Sequence, residues 1–150
     1  MNFIGLNKYD TANGPGIRVS LFVSGCTLHC RGCFNKESWR FDAGKPFTSQ
    51  KLDEIVKELQ EPWIEGFSLL GGDPFEPCFH DDILNIVKTL KPLQKSIWVW
   101  TGRVLEDLRG NEILNYIDVL VDGPFIQDLK GDYEYRGSSN QRILQKGVDF

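Results

Sequence analysis

The sequence has no long apolar run and no surplus of positive charge. No segment approaches 18 consecutive apolar residues, and residues 1–8 do not form a charged stretch followed by an apolar one. We therefore expect neither a membrane span nor a secretory signal, and we predict a cytoplasmic location. Lysine and arginine number 17 against 21 aspartate and glutamate residues, a net charge of −4. Proteins that hold nucleic acid mainly through phosphate contacts carry a basic surplus, so we expect no nucleic-acid partner.

Internal repeats, low-complexity tracts and linker-like segments are also missing. A length of 150 residues therefore predicts one domain over residues 1–150. A domain of that size buries roughly 68–70% of its unfolded surface, which is enough for a core without disulfides. The chain has only four cysteines. In a reducing compartment such thiols more often bind metal or act in catalysis than form disulfides.

The hydrophobic pattern predicts strands and helices in alternation. Short apolar or alternating segments predict strands at 17–24, 67–70, 97–100, 119–121 and 142–144. Apolar residues at intervals of three and four predict helices over 48–60 and 81–90, and two short helices within 104–116. This order predicts an α/β fold in which helices cover a largely parallel sheet.

Glycine turns follow three of the predicted strands, at Gly71-Gly72, Gly102 and Gly123. Parallel strands present their carboxyl ends at one edge of the sheet, where α/β proteins bind their ligands. The first predicted strand brings Cys26 to that same edge. We therefore expect the functional site to lie there.

Three of the cysteines lie within eight residues. Cys26, Cys30 and Cys33 have the spacing C-x3-C-x2-C, and Gly25 and Gly32 allow tight bends in the loop. Thiolates bind iron–sulfur clusters strongly, and this spacing favours a [4Fe–4S] cluster held by three thiolates. Such a cluster has one iron without a protein ligand, and an open metal position is typical of a reactive site.

Other interpretations of the cysteines stay open. A structural zinc site usually has four protein ligands, so it would need His29 from within the loop or the distant Cys78. Disulfides would need an oxidising compartment. Inert buried thiols are not expected to cluster so closely. We predict that Cys78 is a packed or incidental thiol that does not bind the metal.

Further motifs agree, in order, with one group of enzymes. They are Asn13 to Arg18, Leu21 to Cys26, Cys33 to Lys36, Gly71 to Pro74, Trp98 to Gly102, Val121 to Gly123 and Arg136 to Gln141. With these motifs the chain resembles the radical S-adenosylmethionine enzymes, and among them the glycyl-radical-enzyme activases that serve anaerobic ribonucleoside-triphosphate reductase. The resemblance runs from about residue 9 to residue 142.

The resemblance implies an oxidoreductase with an open, partial (β/α) barrel. In such enzymes the reduced [4Fe–4S] cluster passes one electron to S-adenosylmethionine bound at the open iron, which releases methionine and a 5′-deoxyadenosyl radical. That radical takes a hydrogen atom from a glycine of the reductase large subunit, and the glycyl radical supports anaerobic deoxyribonucleotide synthesis. The implied electron donor is a reduced flavodoxin-type protein. The alternatives are activation of a different glycyl-radical enzyme, or a non-catalytic zinc-binding module.

The resemblance also implies the residues of the site. Cys26, Cys30 and Cys33 would bind the metal cluster. Contacts with S-adenosylmethionine would come from Gly32, Cys33, Phe34, Asn35, Gly71, Gly72, Asp73, Thr101 and Asp122. Contacts with the reductase would come from Arg136, Ser138 and Asn140. No side chain beyond those that hold the cluster and S-adenosylmethionine is expected to be catalytic.

Several of these residues also have structural interpretations. Gly71-Gly72 has no side chains, so the backbone can approach a ligand amino group closely, but it also suits a plain turn. Phe34 could stack on the adenine base or pack in the protein. Asp122 could hold a cation near the methionine carboxylate or accept N–H groups in its own turn. Residues 136–141 could grip a partner or form an ordinary surface loop.

Two positions depart from the usual pattern of radical S-adenosylmethionine enzymes. Gly32 precedes the third cysteine, where an aromatic residue is usual, although activating proteins of this type often share the glycine. Pro124 stands where a lysine that could contact the ligand carboxylate is usual. Arg18, Arg103 and Lys130 are the candidates to replace that lysine.

Overall fold

The computed structural model describes residues 1–33 and 35–150. Its strands are β1 (Asn2–Asp10), β2 (Arg18–Ser24), β3 (Lys45–Pro46), β4 (Gly66–Gly71), β5 (Ser96–Trp100), β6 (Val119–Asp122), β7 (Lys130–Tyr133), β8 (Arg136–Ser138) and β9 (Arg142–Gln145). Its α-helices are α1 (Ser49–Leu59), α2 (His80–Leu90) and α3 (Leu105–Leu108). Short 3₁₀ turns lie at Lys36–Trp39, Pro77–Phe79, Lys91–Leu93, Glu112–Asn115 and Gln127–Leu129.

A mixed sheet forms the centre of the described structure, with strand order β3-β1-β2-β4-β5-β6-β9. Strands β2, β4, β5 and β6 run parallel, and the flanking strands pair antiparallel with their neighbours. The predicted α/β fold with a mostly parallel central sheet is confirmed. The sheet is not closed into a barrel, because β3 and β9 stand at its two edges. The separate hairpin of β7 and β8 follows β6.

The helices agree closely with the sequence pattern. The α1 helix begins after Thr48, whose hydroxyl accepts a hydrogen bond from the N–H of Lys51, as expected of an N-cap. The α2 helix begins at His80 and ends at Leu90, shortly before a proline. Residues 104–116 form α3 and a 3₁₀ turn, which confirms the prediction of two short elements there. Among the residues the structure describes, no helix combines the length and apolar character needed to span a bilayer.

The two faces of the sheet carry different side chains, because successive residues of a strand point to opposite sides. One face packs into the main hydrophobic core together with the helices, through Val19, Leu21, Val23, Phe67, Leu69, Ile97, Val99 and Leu120. The opposite face carries the alternate residues, among them Ser20, Phe22, Ser68, Leu70, Trp98 and Trp100. Since several of these are small or polar, this second face leaves room for a cavity.

Arg18 joins the amino ends of three parallel strands. Its side chain is fully buried, and Nε donates to Ser68 Oγ at 2.8 Å, while Nη2 donates to the carbonyl oxygens of Phe67 and Ser96. Burial lowers the pKa of Arg18 to about 10. Because Arg18 lies at the opposite end of β2 from Cys26, it is not placed to contact a ligand carboxylate beside the cysteines.

Candidate functional site

A cavity of about 410 Å³ opens at the carboxyl ends of β2, β4 and β5. It is lined by all three clustered cysteines and by two of the three glycine turns: Cys26, Cys30, Cys33, Gly71, Gly72, Asp73, Thr101 and Gly102. Phe22, Leu70 and Trp100 line it from the sheet, and Asn35 lines it from the segment after the cysteine loop. Its size is in the range of small-molecule sites. The fold thus brings together most of the residues named from the sequence.

The backbone of the cysteine loop is anchored by hydrogen bonds. The N–H of Gly25 donates to Ser38 O at 2.7 Å, and the N–H of Cys26 donates to Trp39 O at 3.2 Å. A turn at the end of the loop closes through the N–H of Cys33 and the carbonyl oxygen of Cys30, 3.1 Å apart. Burial raises the pKa of the Cys26 thiol. The thiol form is therefore favoured until a metal binds and displaces the proton.

His29 and Cys78 do not line the cavity in the described part of the chain. The His29 imidazole is exposed and stacks on Trp39, with ring centroids 4.4 Å apart. Cys78 is exposed in the turn before α2. Neither side chain shares the cavity with the three thiols.

The donor set of the cavity fits an iron–sulfur cluster. The thiols of Cys26, Cys30 and Cys33 line one cavity, and cysteine thiolates are the usual ligands of iron–sulfur clusters. Ser24 is fully buried on the same face of β2 as Phe22, and its hydroxyl has no hydrogen-bond partner among the described residues. An unpaired buried hydroxyl costs about 1–3 kcal/mol. Ser24 is not among the residues that line the cavity, so its hydroxyl does not bear on the fit of a cluster.

The Gly71-Gly72 turn lies directly against the cysteine loop. Gly71 has φ +114°, and a Cβ atom added at Gly72 would come within 2.2 Å of the carbonyl oxygen of Gly25. The N–H of Gly72 donates to Val23 O, and the N–H of Asp73 donates to Gly25 O at 2.8 Å. Glycine at these positions therefore lets the two loops approach and leaves bare backbone facing the cavity.

Asp73 organises the wall of the cavity at the end of β5. Its buried carboxylate accepts hydrogen bonds from Thr101 Oγ1 at 2.8 Å and from the N–H of Gly102 at 3.0 Å, and lies 3.0 Å from Arg103 Nη1. Burial raises the pKa of Asp73, although backbone N–H groups and Arg103 oppose that effect. Arg103 also pairs with Glu76, so it is already engaged by two carboxylates.

Comparisons with known proteins agree with this arrangement. Residues 12–144 match the family described as a 4Fe-4S single cluster domain. The anaerobic ribonucleoside-triphosphate reductase-activating protein of Escherichia coli (strain K12) is 45% identical over 150 residues, covering 95% of this chain and 97% of the relative. The proteins of that name from Pasteurella multocida and from phage T4 are 45% and 40% identical, covering 98% and 93% of their own lengths. The chain belongs to this family of activating proteins.

Membership of the activating-protein family confirms the resemblance drawn from the ordered motifs. Every described residue that lines the cavity, from Asn13 to Gln141, lies within the matched range 12–144. The cavity is thus built from the part of the chain that matches the 4Fe-4S domain.

Two other described residues named from the sequence, Gly32 and Asp122, do not line the cavity. Asp122 is fully buried, and its carboxylate accepts from the N–H of Leu105 at 2.7 Å and pairs with Arg142 at 2.6 Å. Gly32, with φ +77°, faces the side chain of Gln127. Phe34 falls outside the described residues.

The loop 136–141 is held together by its own side chains. Gln141 Oε1 accepts from the N–H groups of Gly137 and Ser138, and Asn140 Nδ2 donates to Pro124 O at 2.7 Å. Ser138 is fully buried and accepts from the N–H of Ile126, so its side chain is not presented at the surface. The sequence left two interpretations of this loop open, a grip on a partner and an ordinary surface loop.

Arg136 lines the cavity and is the only lysine or arginine among its described lining residues. Its Nη1 donates to the carbonyl oxygens of Ser139 and Gln141, and its guanidinium lies 4.7 Å from the ring centroid of Tyr133. Lys130, another candidate to replace the usual lysine, is exposed on β7.

Sequence reasoning did not single out Glu76, although its carboxylate reaches the start of the cysteine loop. The only signal was an acidic residue three positions after Asp73, and nothing in that spacing indicates its partners.

Proposed function

We propose that the chain activates an anaerobic ribonucleoside-triphosphate reductase by reductive cleavage of S-adenosylmethionine at a [4Fe–4S] cluster. The observation that carries this proposal is the shared cavity of Cys26, Cys30 and Cys33 with the Gly71-Gly72 turn. Relatives that cover nearly the whole chain bear the name of the reductase's activating protein, which supports the choice of target.

The three cysteines would hold the cluster, and the bare backbone at Gly71-Gly72 would let the amino group of S-adenosylmethionine approach. Asn35, Asp73 and Thr101 would shape the remaining wall of the ligand site. When bound, the cluster and S-adenosylmethionine supply a one-electron reductive cleavage whose radical product removes a hydrogen atom from a reductase glycine. The chain's own residues orient these groups and exclude water from them.

The contact with the reductase is proposed for Arg136 and Asn140, whose side chains are partly exposed near the cavity. A reduced flavodoxin-type protein is proposed as the electron donor, and the cytoplasm as the location. The donor follows from the resemblance to glycyl-radical-enzyme activases, and the cytoplasm is the location predicted from the sequence.

Anaerobic reconstitution with iron and sulfide tests the proposal. Iron, acid-labile sulfide and 5′-deoxyadenosine are measured with reductant and S-adenosylmethionine for the wild-type chain and for single alanine variants of the three clustered cysteines. We expect about four iron atoms per wild-type chain, and loss of 5′-deoxyadenosine in each of these variants. Cys78→Ala is the matched control and should behave like the wild type, because Cys78 lies outside the cavity.

Electron paramagnetic resonance then identifies the target. When the reductase large subunit is added to the reconstituted chain with reductant and S-adenosylmethionine, a glycyl radical should appear on that subunit. A radical formed only on another glycyl-radical enzyme would assign the chain to that enzyme instead. Stoichiometric zinc without sulfide would establish a zinc-binding module.

A further inference from the structure

The start of the cysteine loop is held by a buried carboxylate. Glu76 is 2% exposed, and its Oε1 accepts hydrogen bonds from Thr27 N–H at 2.7 Å and from Thr27 Oγ1 at 2.8 Å. Thr27 directly follows Cys26, so these two bonds restrain the backbone at the first cysteine. Hydrogen bonds to an ionised carboxylate are stronger than those between neutral groups.

Arg103 links this contact to Asp73, which lines the cavity. Its Nη2 lies 3.3 Å from Glu76 Oε1, and its Nη1 lies 3.0 Å from Asp73 Oδ2. Asp73 in turn binds Thr101 and Gly102. Thr27, Asp73, Glu76 and Arg103, here called the carboxylate clamp, therefore connect the carboxyl ends of β2, β4 and β5.

The clamp begins where the backbone pairing of β2 with β4 ends. Backbone pairing of β2 with β4 extends to Val23 opposite Gly71, and Asp73 N–H then binds Gly25 O. Beyond Gly25, the contact from Glu76 to Thr27 continues the connection between the two segments. Breaking it would remove a restraint on the backbone directly after the first cysteine, whose own N–H donates to Trp39 O.

We infer that Glu76 is a positioning residue, which fixes Cys26 for cluster binding and adds negative charge beside the cluster. This inference rests on the proposed function, in which the three cysteines hold a [4Fe–4S] cluster. Within the clamp, Glu76 shares the single guanidinium of Arg103 with Asp73. Negative charge near a cluster disfavours the gain of an electron, and cluster potentials respond to such charges and to burial.

Two substitutions separate the hydrogen bonds from the charge. Glu76→Gln keeps an acceptor oxygen for Thr27 but removes the negative charge. Glu76→Ala removes both. Asp81→Asn is the matched control, because it makes the same change in net charge at an exposed position on α2.

The reconstituted chains are compared by iron retention against a chelator and by potentiometric titration of the cluster. We expect Glu76→Ala to weaken iron retention by roughly 10–100-fold, as is usual when a residue supporting metal ligands is lost. Glu76→Gln should retain iron like the wild type, with a midpoint potential more positive than in the wild type and in Asp81→Asn. Urea unfolding of the chains before reconstitution shows whether Glu76→Ala remains folded.

Wild-type iron retention by a folded Glu76→Ala chain would overturn the positioning role while leaving the proposed function standing. An unchanged potential in Glu76→Gln would overturn the role of the charge. If Glu76→Ala does not fold, the Gln variant decides the question. Loss of iron retention in Glu76→Gln, or an unchanged midpoint potential, would then overturn the inference. If the wild-type chain itself binds no cluster, the proposed function and this inference both fail.

Discussion

Gly72 has room for a hydrogen atom and nothing larger. An added Cβ would lie 2.2 Å from the Gly25 carbonyl oxygen, and the obstacle is backbone that is hydrogen-bonded to Ser38 and Asp73. The φ angle at Gly72 is not in the left-handed region, so the constraint comes from space alone. The close approach of the two loops thus depends on the absence of a Cβ atom at position 72.

Gly72→Ala is therefore expected to destabilise the fold by about 1–3 kcal/mol, the usual cost of overpacking. Urea unfolding of the wild type and the variant measures this difference. Gly5→Ala is the control, because its nearest contact would be 3.6 Å away, at Phe22 Cδ2. Equal unfolding midpoints for the two variants would show that the loops separate more easily than their hydrogen bonds imply.

At the level of single residues, the sequence predicted those groups whose chemistry follows from residue type and spacing. The cysteines and the glycine turn were found in this way, and the fold places them in one cavity. Glu76 was missed because its partner Thr27 lies 49 residues away in the chain. For Asp122 two interpretations stood open, and the partners that occupy its carboxylate come from Leu105 and Arg142, on other elements.

Individual strands are joined by one buried cation as well as by their backbone pairing. Among the described residues, no carboxylate lies within ion-pair distance of Arg18. Its guanidinium instead donates hydrogen bonds to carbonyl and hydroxyl oxygens of β4 and β5. A buried charge without such bonds would be strongly unfavourable. Arg18 therefore fixes the strands at the end opposite the cavity.

Arg18→Met should destabilise the chain by roughly 2–4 kcal/mol, because buried carbonyl oxygens lose their donors. Urea unfolding compares it with Arg18→Lys, which keeps the charge but has fewer donors and should fall between Met and the wild type. A Met variant as stable as the wild type would mean that apolar packing with Trp98 replaces the hydrogen bonds.

The elements differ in how readily their sequences reveal them. The four parallel strands were predicted because they are short, apolar and bounded by turns, and β9 was predicted at 142–144. Strand β1 was not predicted, since its residues alternate poorly between buried and exposed positions. The hairpin of β7 and β8 was missed because β7 is exposed throughout and has no apolar pattern to detect.

The stability of the whole molecule depends on pH because some carboxylates accept hydrogen bonds in the folded chain. Asp10 is buried and accepts from Ser20 Oγ at 2.6 Å and from Asn13 Nδ2 at 2.7 Å. Burial acts to raise the pKa of Asp10, but these hydrogen bonds outweigh it, and the pKa lies below the ordinary 3.8. A lowered pKa in the fold means that the unfolded chain binds more protons in this range.

Asp10 thus contributes stability at pH values above 3.8, and this contribution is lost as the pH falls below that value through the folded-state pKa. Urea midpoints measured from pH 5 downward should decline less steeply for Asp10→Asn than for the wild type. Asp81→Asn, at an exposed position, serves as the control. Parallel curves for Asp10→Asn and the wild type would refute this assignment.

By itself, the sequence determined the α/β class, the helices, the parallel strands and the identity of the thiolate and glycine groups. These follow from local patterns, because the spacing of apolar residues, the residues of turns and the types of possible ligand residues can be read from short stretches of the chain. Tertiary structure decided that β1 and β9 flank the parallel strands in antiparallel pairing, that Arg18 lies opposite the thiols, and that Glu76 reaches Thr27. These facts depend on contacts between residues far apart in the chain, for which spacing along the sequence carries no signal.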